Sequence, residues 1–147
     1  GRTNHDWYYT GSESTDNTRW TTSDNAKSIY DPCPSGWRVP DGGSIGVWAR
    51  AIGSSYFNYA YNSTDEGINF SGKFGSDQTI WYPASGYRYS IVGGLGSFGS
   101  VGIVGYYWSA SPCSSTAYCL LLRNNGYVNP SCDINRAYGL SVRCVKE

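Results

Sequence analysis

Alternating apolar and polar residues predict two neighbouring strands in the last third of the chain, over residues 106–111 and 117–123. Successive side chains of a strand point to opposite faces of its sheet. In the second strand the more apolar face is predicted to point toward the core, and it carries Tyr118, Leu120 and Leu122. The opposite face is predicted to be exposed, and it carries Cys119, Leu121 and Arg123.

The segments on either side of these strands predict shorter elements. A turn-rich loop is expected over residues 124–133, followed by a closing strand over residues 140–145 with Val142 and Cys144 pointing inward. Earlier in the chain, β-branched and aromatic runs between glycine-rich or polar turns predict short strands over residues 7–10, 19–22, 68–70 and 79–82.

One segment has the apolar spacing of a helix. Its apolar residues recur at i, i+3, i+4 and i+7 between Ser44, the candidate N-cap, and Gly53. They are Ile45, Trp48, Ala49 and Ile52. Three prolines within residues 29–40 exclude a helix there, and Trp37 and Val39 are expected to pack beneath that loop. The pattern as a whole predicts an α+β domain of short elements and long loops.

Composition favours one domain whose core relies on aromatic residues. A chain of 147 residues can bury a core of its own, and 14 Tyr and 6 Trp supply much of the apolar area. Eleven basic residues balance eleven acidic ones without a basic run, which argues against nucleic-acid binding. No apolar run approaches the roughly 20 residues of a membrane-spanning helix, so membrane insertion is not expected. The chain lacks Met and a signal peptide, and we interpret it as the C-terminal part of a longer protein.

Candidate catalytic and metal-binding chemistry is sparse. The five cysteines lack C-x-x-C spacing and His5 is the single histidine, so no metal or cofactor site is predicted. Gly94, Gly96 and Gly99 match G-x-G-x-x-G, but the β-branched, glycine-interrupted residues that follow do not begin a helix. We interpret that segment as a surface loop. Because no Ser/His/Asp constellation can be built around an N-terminal histidine, we predict a protein that is not an enzyme.

Three motifs in this order resemble the Fibrobacter-type "major paralogous" domain of Bacteroidetes surface proteins. They read DPCPSGWRVP at residues 31–40, GYYWS at residues 105–109 and SVRCV at residues 141–145. The resemblance begins near Lys27 and implies that residues 1–147 form a single C-type-lectin-like domain. In that fold a short helix packs on small twisted antiparallel sheets with long ordered loops. It also implies an extracellular location, on a virion or on a cell surface.

The cysteines of these motifs leave two readings open. Cys33 and Cys144 lie in two of the three motifs, and a disulfide between them would close a long loop. Two buried free thiols are equally compatible with the sequence. Cys113 and Cys132 are candidates for a second disulfide.

The segment from Gly105 to Val145 also resembles the variable protein of a diversity-generating retroelement. In that family a reverse transcriptase copies a template with mutated adenines into the target gene, so asparagine codons diversify while scaffold codons persist. The resemblance implies a diversified region over about residues 89–140, whose side chains bind the ligand. The implied positions are Cys113, Ser114, Ser115, Thr116, Cys119, Leu121, Arg123, Asn125, Tyr127, Cys132, Asp133, Ile134, Asn135, Tyr138 and Leu140. The ambiguously aligned glycine loop adds Tyr89, Ser90, Ile91, Val92, Ile103 and Val104.

The residue types at these positions agree with adenine mutagenesis. Randomising both adenines of an AAC codon cannot produce Lys, Glu, Gln, Trp or Met, and none of these occurs at the implied positions. The sequence alone does not decide between a structural role and a binding role for three of these residues. Leu140 shares strand parity with Val142 and Cys144 and would be core by pattern alone. Tyr127 and Tyr138 are equally compatible with ordinary surface tyrosines and with rigid binding anchors.

Together these features predict a hypervariable ligand-binding domain at the tip of a phage tail fibre or on a bacterial adhesin. Its partner would be a protein or glycan receptor on a cell surface, with an identity that depends on the variant. Fibre tips also make a homotrimer one option. Two alternatives remain: a structural surface module without diversification, and an oxygenase of the formylglycine-generating type, which shares the fold class.

Overall fold

The computed structural model describes residues 6–7, 16–21, 24, 26–53, 59–70, 80–89 and 98–147. Within them the elements, in chain order, are β1 (Trp37–Arg38), α1 (Val47–Ile52), β2 (Tyr61–Asn62), β3 (Gly67–Asn69), β4 (Trp81–Pro83), β5 (Tyr87–Arg88), β6 (Phe98–Gly99), β7 (Val104–Cys113), β8 (Thr116–Arg123), β9 (Val128–Asn135) and β10 (Val145–Lys146). Ser90, Ile91 and Val92, and most of the strand expected over residues 7–10, lie outside the described residues.

Four small antiparallel sheets and one short helix make up this architecture, in agreement with the α+β class predicted from sequence. Two sheets have three strands, in the orders β2-β3-β4 and β7-β8-β9. The other two are the pairs β1-β10 and β5-β6. The sheet of β7, β8 and β9, which we call the central sheet, contains the longest strands and most of the predicted site residues.

The loop predicted over residues 124–133 is wrong from Val128 onward, because β9 begins there. The register between β8 and β9 shifts between Cys119 and Leu121, so the two strands form a bulge. Pro130 lies at this bulge, where a missing backbone N–H costs no ladder hydrogen bond. The proline that indicated a turn is therefore accommodated by an irregular strand, whereas Gly126 does lie in the turn before β9.

One face of the central sheet packs against α1 and the β2-β3-β4 sheet. Its core combines aliphatic and aromatic residues from all three elements: Trp48, Ile52, Ile68, Phe70, Tyr82, Ala84, Tyr107, Leu120, Leu122 and Val128. The inward position predicted for Leu120 and Leu122 is confirmed, whereas Tyr118 is only half-buried. The helix starts later than predicted, at Val47 after an N-terminal Gly46 that has no side-chain cap. Ile45 therefore lies before the helix and is 81% exposed.

The opposite face packs against residues from the beginning of the chain, and this overturns part of the prediction. Trp7 stacks on Trp20 at 4.4 Å between ring centroids, and both meet the edge of Trp108. Cys119 lies in this second core with 0% exposure, and Leu121, opposite Tyr106, is 4% exposed. The exposure predicted for Cys119 and Leu121 was wrong. Cys119 packs in one core with tryptophans distant in sequence, and Leu121 is buried two residues further along the same strand.

Arg136 fixes the beginning of the chain to the central sheet. Its guanidinium is buried and forms an ion pair with Asp6 at 3.3 Å. It also donates to the Asn17 side chain at 2.6 Å and to the backbone carbonyls of Ser114 and Thr116 at 2.9 Å each. The same guanidinium lies over the Trp7 ring at 4.8 Å. The cover of the second face thus depends on one buried cation.

A disulfide joins Cys33 to Cys144, next to the pairing of β1 with β10, which selects the first of the two readings left open by the sequence. The second candidate pair does not form, since Cys113 and Cys132 are both free thiols. The closing strand predicted over residues 140–145 is also interrupted. Ser141 forms an isolated parallel bridge with Tyr107, β10 comprises only Val145–Lys146, and Val142 is 37% exposed. Val39 packs inward as predicted, whereas Trp37 is exposed. No helix in the described ranges is long and apolar enough to cross a membrane.

Candidate ligand-binding surface

Four tyrosines gather at the end of the central sheet where β7 begins. Tyr87 contacts Tyr89 with ring centroids 4.6 Å apart and Tyr106 at 5.2 Å. Tyr138 lies 6.2 Å from Tyr87 and 5.6 Å from Tyr89, measured in the same way. All four are half-buried or exposed, so the rings pack against one another and keep one side accessible. We call this group, together with Arg123 and Tyr127, the tyrosine surface.

Backbone pairing between distant segments brings these rings together. Arg88 and Gly139 exchange two backbone hydrogen bonds of 2.8 and 3.0 Å, which hold the Tyr138 turn against β5. A Cβ added to Gly139 would lie 3.0 Å from the Cβ of Arg88, so a larger residue would push the two segments apart. Tyr106 is supplied by β7, and its side chain packs at the border of the second core.

Arg123 and Tyr127 extend the surface toward the turn between β8 and β9. The Arg123 guanidinium lies 5.5 Å from the centre of the Tyr127 ring, a cation–π contact. The turn is closed by the Arg123 N–H, which donates to the Tyr127 carbonyl at 2.8 Å, and by Gly126 at a φ of 81°. Asn125 is exposed in this turn, and its side-chain oxygen accepts from the Tyr127 N–H.

Two of the tyrosine hydroxyls have raised pKa values, which favours their neutral form. Burial raises the pKa of Tyr87 to about 12, and its hydrogen bond to Tyr89 acts in the same direction. Burial also raises the pKa of Tyr106, while the nearby Arg123 guanidinium opposes that rise. At neutral pH Tyr87 and Tyr106 therefore offer uncharged hydroxyls, and Tyr106 lies beside the positive charge of Arg123.

A shallow groove of about 330 Å³ adjoins the tyrosine surface. Phe98, which is 76% exposed, and Arg88 form one side, with the Arg88 guanidinium 5.8 Å from the ring centre. Leu140 lines the groove and also packs against the second core, so it is half-buried. Leu140 is thus partly a core residue, as the strand pattern indicated, and partly an accessible residue, as the resemblance implied.

A second group of predicted positions lies at the other end of the central sheet, around the turn between β7 and β8. We call it the hairpin tip: it comprises residues 113–116 and 133–135. The Thr116 hydroxyl lies 2.9 Å from the Asp133 carboxylate and 2.7 Å from the Cys113 carbonyl, so its single proton is shared between these two acceptors. Ser114, Ser115 and Asp133 are exposed. Because β8 has eight residues, rising about 3.3 Å each, the tip lies roughly 23 Å from Arg123.

The middle of the predicted surface is core. Cys119 stands opposite Cys132 on β9, and the two thiols share a hydrogen bond. That hydrogen bond raises the pKa of Cys119, which burial raises further, and lowers the pKa of Cys132. Ile134 is half-buried against the same core. The continuous variable face expected from the sequence is thus two separate exposed areas with buried residues between them.

Of the predicted positions in the glycine loop, Tyr89 belongs to the tyrosine surface. Ile103 is exposed and Val104 is half-buried at the start of β7. Sequence reasoning missed Tyr87, Tyr106, Arg88 and Phe98, because Tyr106 was assigned to the scaffold and the others lack a motif. The alternation of Tyr87, Arg88 and Tyr89 was the signal that could have placed two tyrosines on one side of a strand.

Within the described part of the chain, no three His, Cys, Asp or Glu side chains come close enough together to hold a metal ion. Comparison of the chain with protein-family models, with curated proteins and with solved structures finds no match.

Proposed function

We propose that this chain is a ligand-binding domain that recognises a receptor through the tyrosine surface. The observation that carries the proposal is that four positions predicted to vary, Tyr89, Arg123, Tyr127 and Tyr138, meet in one accessible surface. Tyr106 joins them, because it hydrogen-bonds Arg123 and packs against Tyr87, which contacts both Tyr89 and Tyr138. Tyrosine and arginine are the residue types that dominate binding energy at protein interfaces. The proposal includes a C-type-lectin-like fold for the domain.

The physical basis is a rigid support beneath exchangeable side chains. The central sheet is packed on both faces, so its backbone is fixed by residues outside the exposed positions. Tyrosine offers a large contact area and loses few rotamers on binding. A surface of this kind is ordered before it meets a ligand, which lowers the entropic cost of association.

Diversification of these positions is the second part of the proposal. It accounts for three free cysteines that form no disulfide: Cys113, Cys119 and Cys132. The proposed setting is the tip of a phage tail fibre or a bacterial adhesin, outside the cell, with a protein or glycan receptor on a target cell surface. In a fibre the domain would act as a homotrimer.

Binding to cells tests the recognition step. A fluorescently labelled domain is applied to a panel of Bacteroidetes cells, and bound fluorescence is measured against concentration. Tyr89→Ala and Tyr138→Ala are expected to weaken binding at least about tenfold, as for central interface tyrosines. Ile29→Ala removes an exposed apolar side chain outside the surface and should leave binding unchanged. Equal binding by all three variants would favour a structural module instead.

The sequence of the surrounding genome tests diversification separately. The expected finding is a near-copy of the codons for residues 105–145 beside a reverse-transcriptase gene, with mismatches at template adenines. Absence of a copy, or mismatches that ignore adenines, would refute diversification and leave the binding proposal to the cell experiment.

A further inference from the structure

A cleft of about 460 Å³ lies between the loop that precedes α1 and the β7–β8 hairpin. It is close to the hairpin tip and shares no residue with the tyrosine surface or with the adjoining groove. Its lining combines charged, hydroxyl-bearing and aromatic side chains: Asp41, Ser44, Ile45, Arg50, Ser111 and Tyr118, with the backbone of Gly42 and Gly43.

Two glycines allow the loop to lie against the hairpin and form this cleft. A Cβ on Gly42 would lie 2.8 Å from the Cβ of Tyr118 and would also collide with the Ser109 hydroxyl. Gly43 has a φ of 78°, and its Cα side faces the Tyr118 ring, where a Cβ would come within 3.1 Å. The Gly42 N–H donates to the Ser111 hydroxyl at 3.0 Å. The Tyr118 ring is therefore a fixed wall of the cleft.

The arginine side chain of Arg50 is the positive charge in the cleft that can bind an anionic ligand group. Asp41 accepts two hydrogen bonds from the Arg38 guanidinium, of 2.9 and 2.7 Å, so its charge is balanced. The Arg50 side chain is exposed and forms no ion pair or side-chain hydrogen bond within the described residues, although its charge helps to lower the pKa of Asp41. An anionic group that enters the cleft would meet Arg50, whose planar guanidinium suits a carboxylate.

The remaining lining suits a ring that carries hydroxyls on its edge and C–H groups on its face. Each Asp41 oxygen keeps a lone pair after its bond to Arg38, and Ser44 and Ser111 present hydroxyls. The Tyr118 ring and Ile45, which is otherwise exposed to solvent, supply apolar contact. Neither a simple carboxylate nor a neutral sugar would use both kinds of partner.

We propose that this cleft binds an acidic monosaccharide, a pyranose with one carboxylate and several hydroxyls. Arg50 receives the carboxylate, Asp41 and the two serines receive ring hydroxyls, and the apolar ring face packs on Tyr118. The site does not depend on the tyrosine surface, so either proposal can fail without the other.

Titration of the ¹⁵N-labelled domain followed by NMR tests the site, with glucuronic acid as the probe. Glucose and acetate serve as comparators, because each carries one half of the chemistry. Glucuronic acid is expected to shift the amide signals of Gly42, Gly43 and Ser111 in a saturable manner, whereas glucose and acetate bind at least about tenfold more weakly.

Variants locate the effect. Arg50→Ala is expected to weaken glucuronic acid binding about tenfold or more, since a charge-assisted hydrogen bond is lost. Lys146→Ala removes an exposed cation outside the cleft and outside the tyrosine surface, and it should leave the affinity unchanged. Three results would overturn the proposal: equal affinity for glucose, equal affinity for acetate, or no saturable shift of the cleft amides. Binding that survives Arg50→Ala would also overturn it.

Discussion

The two faces of the central sheet are covered by different kinds of contact. Toward α1, the cover consists mainly of apolar and aromatic side chains, and the burial of their area contributes most of its stability. On the opposite face, the cover is the pair Trp7 and Trp20, held in place by the buried ion pair of Arg136 with Asp6. One face is thus covered by a large buried apolar area, whereas the cover of the other face depends on a few specific polar contacts.

This difference matters for the exposed residues that we assign to binding. Tyr106, Tyr138 and Leu140 pack against the second core, so the tyrosine surface rests on the more fragile cover. The hairpin tip also depends on it, because Arg136 holds the carbonyls of Ser114 and Thr116. Loss of the Arg136 contacts should therefore disturb both the tyrosine surface and the hairpin tip, and it should leave the core beneath α1 intact.

Removal of the disulfide should have the largest effect. Cys33 and Cys144 are separated by 111 residues, and a loop of that length predicts a loss of about 4–5 kcal/mol in unfolding free energy. The double variant Cys33→Ser/Cys144→Ser would be compared with the parent by urea denaturation. Cys113→Ser, at a free thiol, should change stability by less than about 0.5 kcal/mol. Equal denaturation midpoints for parent and double variant would show that the second face holds without its covalent link.

Arg136→Met should be the next most damaging change. It leaves carbonyls and the Asp6 carboxylate short of a partner in a buried site, which typically costs about 3–5 kcal/mol. Tryptophan fluorescence is expected to shift to longer wavelength as Trp7 becomes solvated. Arg38→Met, in the partly exposed pair with Asp41, should cost less than about 1 kcal/mol. Similar losses of unfolding free energy for Arg136→Met and Arg38→Met would show that the second face does not depend on its buried ion pair more than on an exposed one.

High pH should weaken the face toward α1 through Tyr107. Burial raises the pKa of Tyr107 to about 12 from an ordinary value of 10.0, and its hydroxyl donates to the Pro83 carbonyl at 2.7 Å. The folded state therefore keeps a proton that the unfolded state releases. The stabilisation is complete below pH 10 and is lost as pH rises toward 12, by roughly 2–3 kcal/mol.

Tyr107→Phe provides the control for this titration. Its stability should fall less steeply between pH 10 and 12 than that of the parent, measured by urea denaturation at each pH. Parallel curves for the two proteins would contradict the assignment to Tyr107.

Local pattern predicted the parts of the fold whose burial is decided by neighbouring residues. The strands around Trp108 and Leu120, the inward Leu122 and the short helix all follow from spacing along the chain. Cys119 could not be placed in this way, because it packs in the second core with Trp7 and Trp20, roughly a hundred residues earlier. Strand β9 was missed for a different reason, since Pro130 indicates a turn until the bulge that accommodates it is known.

The residues of the candidate site were predicted in part, but their arrangement in space was not, because it also depends on contacts between segments distant in sequence. Resemblance to a family supplied Tyr89, Tyr127 and Tyr138 as single positions, but no pattern showed that they meet. Their meeting depends on the pairing of Arg88 with Gly139, two residues without any distinguishing motif. The cleft at Arg50 could not be foreseen, because Ile45 was expected to lie inside the helix core and instead lies at the cleft.

The turn at Ser114 sets a limit on any repertoire built on this scaffold. Ser114 adopts a φ of 53°, in the left-handed region that Asn, Asp and Gly tolerate and that β-branched residues avoid. If this codon is randomised from AAC, variants with Ile, Val or Thr would carry a cost of about 1–2 kcal/mol before they meet any ligand. Folding would then select among the variants before ligand binding does. The residues found at position 114 in folded protein would be fewer than the randomised codon encodes.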